Sequence, residues 1–229
     1  MQFNDVVQQR QSIRKFMDSE IPDEDIIDIV KLANSAPSAM NIQNWHFVVI
    51  KKQEFKKEIG NIITAKNESI ARQIDHLDKN QADKFRKFCS KFSLFPTEAP
   101  AMVVVFSDVY APPENKIFEM ISTDDAKTEM EKVMYLQNPA MQGLGAAINT
   151  FLLSAVDRGL GGCWLTSANY ASDEITALLK NRLAIEKYGF MAAILAIGIP
   201  EGESKSPQKL PVEEVLTIIW WKMSLILGH

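Results

Sequence analysis

Arg10-Gln11-Ser12-Ile13-Arg14 is the stretch around which the rest of the chain is organised. In an extended or looped segment, alternation places the side chains of Arg10, Ser12 and Arg14 on the same side of the backbone. Two guanidinium groups and a hydroxyl on one side form a fork for an oxygen-rich anion, and phosphate is the first candidate. A solvated basic turn after a short helix is the alternative interpretation of these five residues alone.

The composition is that of a globular protein. The 229 residues are 46% hydrophobic and 24% charged, and the net charge of -4 gives no sign of a nucleic-acid partner, so any phosphate site must be local. The two cysteines lack paired spacing and the three histidines lack metal-ligand spacing, which argues against a disulfide framework or a metal site. The first residues do not resemble a signal peptide, and the apolar runs are too short for a bilayer, so a cytoplasmic location is expected.

Local sequence patterns predict the helices and strands. Helices are predicted over Phe3–Gln9, Pro22–Ala36, most of Gln53–Phe95, Lys132–Arg158 and from Ser172 onward. Strands are predicted over Phe47–Ile50, Ala101–Phe106, Cys163–Ser167 and Met191–Pro200, with a long connection over Val109–Thr128.

Two further features bear on organisation and assembly. The helix predicted over Lys132–Arg158 carries small residues in its middle, including Gly143 and Gly145, which allow another backbone to approach closely. Near the end of the chain, the adjacent Trp220 and Trp221 are expected to pack on the body of the protein or on a partner subunit. Without repeats or a clear linker, residues 1–229 are predicted to form one α+β domain, in which residues 53–95 are a helical cover.

Four stretches, taken in order, resemble the nitroreductase family of FMN-dependent oxidoreductases. They are Arg10-Gln-Ser-Ile-Arg14, Ala36-Pro-Ser-Ala-Met-Asn-Ile-Gln-Asn-Trp-His-Phe47, Gly159-Leu-Gly-Gly-Cys-Trp-Leu165 and Lys209-Leu-Pro-Val-Glu-Glu-Val215. Each stretch alone is weak evidence, but together they extend over nearly the whole chain. The resemblance implies a mixed β-sheet flanked by helices, in an intertwined homodimer with two FMN molecules at the subunit interface.

The resemblance also implies a ping-pong activity. NADH or NADPH would pass a hydride to N5 of FMN, and an electron-poor acceptor such as a nitroaromatic or a quinone would then be reduced in the same place. Because the cofactor supplies the chemistry, no side chain is assigned as a catalytic acid or base. The alternatives are reductive dehalogenation or flavin breakdown on the same scaffold, an FMN-binding module without turnover, and a phosphate-binding or structural domain without flavin.

By the same resemblance, three parts of the chain hold FMN. Arg10 and Ser12 would reach the phosphate and ribityl end, and Arg14 would lie towards the pyrimidine edge, where a cation raises the tendency of the flavin to accept electrons. The other implied residues are Pro37, Ser38, Ala39 and Asn41 from the other subunit, Trp164, Leu165, Thr166 and Ser167 facing N5 and O4, and Lys209, assisted by Lys205, at the phosphate.

Three positions depart from the usual pattern of the family. Asn44 stands where proline is usual, so the loop before Trp45 is expected to be less rigid. Thr166-Ser167 replaces an acid–glycine or glycine-rich pair, and the side chain of Ser167 is expected to narrow the flavin's face. Asn67 is a candidate for a second polar contact with the pyrimidine edge, although an ordinary surface polar residue is the favoured interpretation.

Overall fold

A computed structural model describes residues 1–108, 120, 124–183, 189–202 and 206–219. The helices in this part of the chain are α1 (Phe3–Gln9), α2 (Asp23–Ala33), α3 (Gln53–Asp75), α4 (Lys79–Ser93), α5 (Asp124–Gln137), α6 (Pro139–Asp157), α7 (Ser172–Leu183) and α8 (Val212–Val215). The strands are β1 (Trp45–Ile50), β2 (Ala101–Ser107), β3 (Gly161–Leu165) and β4 (Phe190–Gly198). None of the described helices has the length and apolar character needed to cross a membrane.

The four strands form one sheet in the order β1-β2-β4-β3, and each neighbouring pair is antiparallel. The central strand β2 is buried along its whole length, because both its edges are paired and both its faces are covered. Outside the named strands, Ser12 makes an isolated parallel bridge to Gly162 beside β3. The predicted α+β class is therefore confirmed, with parallel pairing among the described residues limited to that bridge.

The sheet lies between two helical layers, and the core is divided between its two faces. Side chains alternate along β2, so Val103 and Val105 lie on the face covered by α2 and α6, where Phe151 is fully buried. Val104 lies on the other face, which is covered by α3 and α7 and includes Ile175.

The prediction of one continuous helix over Lys132–Arg158 is wrong, because Asn138 separates two helices, α5 and α6. Asn138 has a φ of 35°, and its side chain accepts a hydrogen bond of 3.2 Å from the backbone N–H of Met141. Pro139 then begins α6, where its missing N–H costs nothing. The connection predicted over Val109–Thr128 is also wrong from residue 124 on, where α5 begins, whereas residues 109–119 and 121–123 lie outside the described part.

Residues 53–95 are mostly helical, as predicted, and form a pair of packed helices, α3 and α4, which we call the cover hairpin. That this pair covers a site stays a prediction. Asp78 caps α4, since its carboxylate accepts hydrogen bonds from two backbone N–H groups of the first turn. Near the tip, the Arg86 guanidinium pairs with the carboxylates of Glu68, Asp75 and Asp83. The pairs with Glu68 and Asp75 join α4 to α3, whereas Asp83 lies on α4 itself.

Candidate functional site

The segment from Ser12 to Met17 lies along the edge of the sheet formed by β3 and the end of β4. The backbone N–H of Ile13 donates to the carbonyl of Gly162 at 3.0 Å, and the N–H of Met17 donates to the carbonyl of Ile199 at 2.9 Å. Sheet-edge pairing therefore holds this part of the chain extended. In an extended segment, successive side chains leave opposite sides of the backbone.

The two sides of this segment have different surroundings. Gln9, Gln11 and Ile13 line a cleft of about 440 Å³ next to Leu160 and Gly161. Arg10, Ser12 and Arg14 alternate with these residues and lie on the side of the buried Cys163 thiol. The alternation predicted from the sequence is thus present in the structure.

Ser12 lies beside the thiol of Cys163 on β3, because its backbone is bridged to Gly162, the residue before the cysteine. The Cys163 side chain is 2% exposed. Burial raises the pKa of this thiol, while the charge of Arg14, the hydroxyl of Ser12 and the charge of Arg10 act in the opposite direction. The structure therefore places Ser12 at the edge of β3, with Arg10 and Arg14 two residues away on either side.

The two guanidinium groups have no acidic partners in the described part of the chain. No carboxylate there lies within ion-pair distance of Arg10 or Arg14, and the one hydrogen bond found for the Arg14 side chain goes to the carbonyl of Ser12 at 3.4 Å. Arg10 is half-buried and Arg14 exposed. Two unpaired cations and a hydroxyl are a suitable donor set for a phosphate group.

The segment Trp164–Ser167 begins on β3 and turns away from the sheet. Trp164 is 41% exposed and Thr166 is exposed, whereas Leu165 is buried in the core. The hydroxyl of Ser167 donates to the carbonyl of Phe92 in α4 at 2.9 Å. The Ser167 side chain is therefore engaged with the cover hairpin. The expected narrowing of the flavin's face by this side chain stays a prediction.

The loop carrying Pro37, Ser38, Ala39 and Asn41 has a strained backbone. Within it Met40 and Asn41 have φ values of 53° and 54°, and Gln43 follows at 45°. The Ser38 hydroxyl accepts a hydrogen bond of 3.0 Å from the backbone N–H of Gln43, which stabilises the bend. Ala39 is half-buried, and Pro37 and Asn41 are exposed.

Asn44, at the end of this loop, anchors it rather than loosening it. Its side chain is buried, and its amide donates to the Ser107 hydroxyl at 2.9 Å and to the carbonyl of Ala140 at 3.3 Å. Asn44 thus ties the loop both to the end of β2 and to the first turn of α6.

Helix α6 separates this loop from the Trp164 segment within one chain. A Cβ on Gly143 would lie 3.2 Å from Cα of Ser38, whereas a Cβ on Gly145 would lie 3.6 Å from Cη2 of Trp164. Two residues along a helix correspond to a rotation of about 200°. The two groups of predicted site residues therefore contact opposite sides of α6. The close backbone approach predicted for the small residues of this helix is confirmed at Gly143.

The remaining predicted residues lie apart from these groups or outside the described part. Lys209 is exposed in the segment before α8. Lys205, Trp220 and Trp221 lie outside the described residues. Asn67 is 6% exposed, so its interpretation as a surface residue is wrong, and its Oδ1 accepts no hydrogen bond within the described structure.

Sequence reasoning missed residues that hold the site in place. Ser93 is fully buried, and its hydroxyl donates to the carbonyl of Ser167 at 3.2 Å. The Asn169 amide donates to the carbonyl of Ala192 at 2.7 Å. Both contacts join residues far apart in the chain, and no local pattern of hydrophobicity or turn composition indicates them.

Comparison with known proteins gives consistent relatives. The model of the Nitroreductase family matches residues 7–199. The crystal structure of a BluB-like flavoprotein from Clostridium difficile 630 has a TM-score of 0.90 and 45% identity, covering 96% of this chain and 100% of that one. An iodotyrosine deiodinase of Thermotoga neapolitana is 24% identical over 93% of this chain and 94% of its own length. A 4-nitrobenzoate reductase of a Nocardioides species is 23% identical over 95% and 90% of the two chains.

Proposed function

Since the chain belongs to the nitroreductase family, we propose that it is an FMN-dependent oxidoreductase that uses NADH or NADPH to reduce electron-poor acceptors. The observation that carries the proposal is the pair of guanidinium groups, Arg10 and Arg14, which have no acidic partner among the described residues and flank Ser12 where its backbone is bridged to the edge of β3. A flavoprotein that presents such a fork needs a flavin with a phosphate, and FMN is the smallest one.

Arg10 and Ser12 are proposed to bind the phosphate end of FMN, and Lys209 to close over it. A guanidinium group donates two parallel hydrogen bonds to a phosphate, and a hydroxyl adds a third donor. Arg14 is proposed to lie at the pyrimidine edge, where its charge stabilises the negative charge that the ring gains on reduction. Because the Ser12–Met17 backbone is paired to the sheet edge, the main chain that carries Ser12 and Arg14 is held in place before the ligand arrives.

The segment Trp164–Ser167 is proposed to present its backbone N–H groups to the edge of the flavin ring. When bound, FMN takes two electrons and a proton from one compound and passes them to another. The chain's part is to orient the ring and to restrict water. Sheet pairing holds the segment at one end, and the hydroxyls of Ser93 and Ser167 hold it against the cover hairpin.

Aromatic side chains beside this segment favour flat acceptors. The Phe88 and Phe92 rings lie 5.1 Å apart, and the Phe92 carbonyl is the acceptor for Ser167. Phe88 is 48% exposed and Trp164 is 41% exposed, which is unusual for large aromatic groups that serve only the core. Such surfaces stack well on electron-poor rings. A relative named as a 4-nitrobenzoate reductase supports this acceptor class.

The active form is proposed to be a homodimer. The loop with Ser38 and the segment with Trp164 contact opposite sides of α6, so a second copy is the simplest way to bring both to one flavin. Several apolar side chains in residues 206–219 are more than half exposed in the described part of the chain: Leu210, Val212, Val215, Leu216, Ile218 and Ile219. A partner subunit would bury them. Sedimentation of the FMN-loaded protein should give about twice 25.8 kDa, and an FMN-saturated monomer would contradict the dimer.

Reductive dehalogenation is the second candidate, because a relative that aligns over nearly its full length is named as an iodotyrosine deiodinase. The two candidates share the flavin site and differ in the acceptor. Anaerobic reduction of the protein, followed by addition of a nitroaromatic or an iodotyrosine, separates them: reoxidation of the flavin by one compound alone identifies the acceptor class.

The first test is the visible spectrum of the purified protein before and after anaerobic NADH or NADPH. A flavin spectrum that bleaches supports the proposed oxidoreductase, and a spectrum that persists with both donors favours an FMN-binding module. Arg10→Ala should weaken FMN binding by about 2–4 kcal/mol, as for the loss of one partner of a largely desolvated charge pair. Lys15→Ala is the matched control, because Lys15 is an exposed cation of the same segment. Full FMN occupancy of Arg10→Ala at low micromolar protein would refute the role of Arg10.

A further inference from the structure

Two serine hydroxyls join the cover hairpin to the segment that follows β3. The Ser167 hydroxyl donates to the Phe92 carbonyl at 2.9 Å, and the Ser93 hydroxyl donates to the Ser167 carbonyl at 3.2 Å. Ser167 therefore donates to the backbone of the hairpin through its hydroxyl and accepts from the hairpin through its carbonyl. Ser93 is fully buried, so its hydroxyl has no access to solvent as an alternative partner.

The first of these bonds satisfies a helix end. Phe92 lies in the last turn of α4, where backbone carbonyls have no intrahelical partner. Such carbonyls are usually satisfied by nearby residues, by water or by a glycine turn. Here the donor comes from a residue 75 positions later in the chain. The end of α4 is thus built around the position of Ser167.

The same segment is also held from the opposite side. β3 pairs with β4 only as far as Leu165, which lies opposite Ile194, so the carbonyl of Ala192 is beyond the ladder. The Asn169 amide donates a hydrogen bond to this carbonyl at 2.7 Å, and the Ser172 hydroxyl donates to the carbonyl of Met191 at 2.8 Å. The segment between Leu165 and Asn169 therefore spans two anchors, one on β4 and one on α4.

We propose that Ser93 is a positioning residue that acts through Ser167 to aim the backbone N–H groups of Thr166 and Ser167 at the flavin. The proposal rests on the proposed function, because the flavin is the group being oriented. Flavin N5 accepts a hydrogen bond when oxidised and carries a proton when reduced. A shift of the facing N–H groups therefore changes the affinity for oxidised FMN and the affinity for reduced FMN by different amounts. A redox titration measures the ratio of these two affinities as the midpoint potential of the bound flavin.

A purely structural role for the serine pair makes a different prediction. If Ser93 only packs α4 against the sheet, its removal lowers stability but leaves the two FMN affinities in the same ratio. The measurement must therefore compare oxidised with reduced FMN, and must record the melting temperature separately.

The test uses Ser93→Ala and Ser167→Ala in the FMN-loaded protein, with Ser154→Ala as the control. Ser154 is also a buried serine whose hydroxyl donates to a backbone carbonyl, that of Thr150 at 2.8 Å, but it lies within α6. Each variant is titrated with FMN, and the midpoint potential of the bound flavin is measured against a reference dye. Alanine at position 93 removes one oxygen atom, so the variant is expected to fold.

Loss of either hydroxyl should change the ratio of the affinities for oxidised and reduced FMN by about threefold to tenfold, the effect of one hydrogen bond. A tenfold change corresponds to about 30 mV for a two-electron couple. Ser154→Ala should keep the wild-type ratio. An unchanged potential in Ser93→Ala and Ser167→Ala overturns the positioning role, even if both variants melt earlier. Failure of the wild-type protein to take up FMN would overturn the proposed function as well, so the two failures are distinct.

Discussion

Gly161 is the position where the smallest substitution should displace the Arg10–Arg14 segment. A Cβ at residue 161 would lie 2.6 Å from Cγ1 and 3.1 Å from Cβ of Ile13, and 2.8 Å from Cγ of Pro200. Ordinary van der Waals contact begins near 3.4 Å, so Gly161→Ala requires a movement of about 0.8 Å. Ile13 lies between Ser12 and Arg14, two of the residues proposed to bind FMN.

The neighbours cannot give way independently, because hydrogen bonds tie them to the sheet edge. The N–H of Ile13 donates a hydrogen bond to the carbonyl of Gly162, the residue next to the substituted position. The chain around Pro200 is held by the N–H of Met17, which donates to the Ile199 carbonyl at 2.9 Å. Relief of the clash must therefore stretch the edge pairing or force Ile13 off its preferred rotamer.

Overpacking of this kind costs about 1–3 kcal/mol of stability. For a chain of this length, each kcal/mol lowers the melting temperature by about 2–4 °C, so Gly161→Ala should melt about 2–12 °C earlier than wild type. Thermal unfolding at one fixed protein concentration measures this shift, since self-association makes the melting temperature depend on concentration. FMN affinity should fall as well, because the guanidinium fork moves with Ile13.

Two further variants make the test specific. Gly145→Ala is the control, because its Cβ meets Trp164 at an ordinary 3.6 Å and alanine is favoured in a helix by up to about 1 kcal/mol. Ile13→Ala removes the closest clashing atom, so the double variant should lose less stability than the two single losses combined. A melting temperature for Gly161→Ala within about 1 °C of wild type would refute the reasoning.

Two other predictions concern the cover hairpin and the strained loop. Arg86→Met should lower the melting temperature at neutral pH, and its difference from wild type should shrink progressively as the pH falls below about 4, because the guanidinium holds the pKa of Glu68 and of Asp75 below its usual range and the stabilisation is lost only as these carboxylates become protonated in the folded protein; a difference that stays constant from pH 8 to well below about pH 4 would show that the ion pairs are not its cause. Met40→Gly should keep or raise the free energy of unfolding, by up to about 1 kcal/mol in urea titration, because Met40 is 71% exposed and its positive φ suits glycine; a clear loss would mean that its side chain packs on a partner.

Most secondary structure could be predicted because its signals are local. The acidic residues after Pro22 begin α2, and the β-branched runs in β1 and β2 form strands as expected. The boundary error in the helix predicted over Lys132–Arg158 has a local cause too. Asn138-Pro139 is a turn signal, but the apolar pattern on both sides outweighed it in the prediction.

The sequence could predict only those features of the candidate site that depend on a single segment of the chain. The alternation of Arg10, Ser12 and Arg14 is a property of any extended chain, and the segment is extended. What these side chains face, the thiol of Cys163, depends on the pairing of residues 150 positions apart in the chain. The hydrogen bond of Ser167 was not predictable for the same reason, since its partner lies in the cover hairpin.

The sequence by itself determined which segments are helical or extended, which side chains can share one side of a strand, and which family the chain resembles. Only the tertiary structure decided that α6 separates Ser38 from Trp164, that Asn44 anchors the loop where proline is usual, and that the Ser93 and Ser167 hydroxyls donate to the carbonyls of Ser167 and Phe92. Local structure follows from dihedral preferences and hydrophobic periodicity over a few residues. Hydrogen bonds between distant segments follow from how the layers pack, and no short stretch of sequence contains that information.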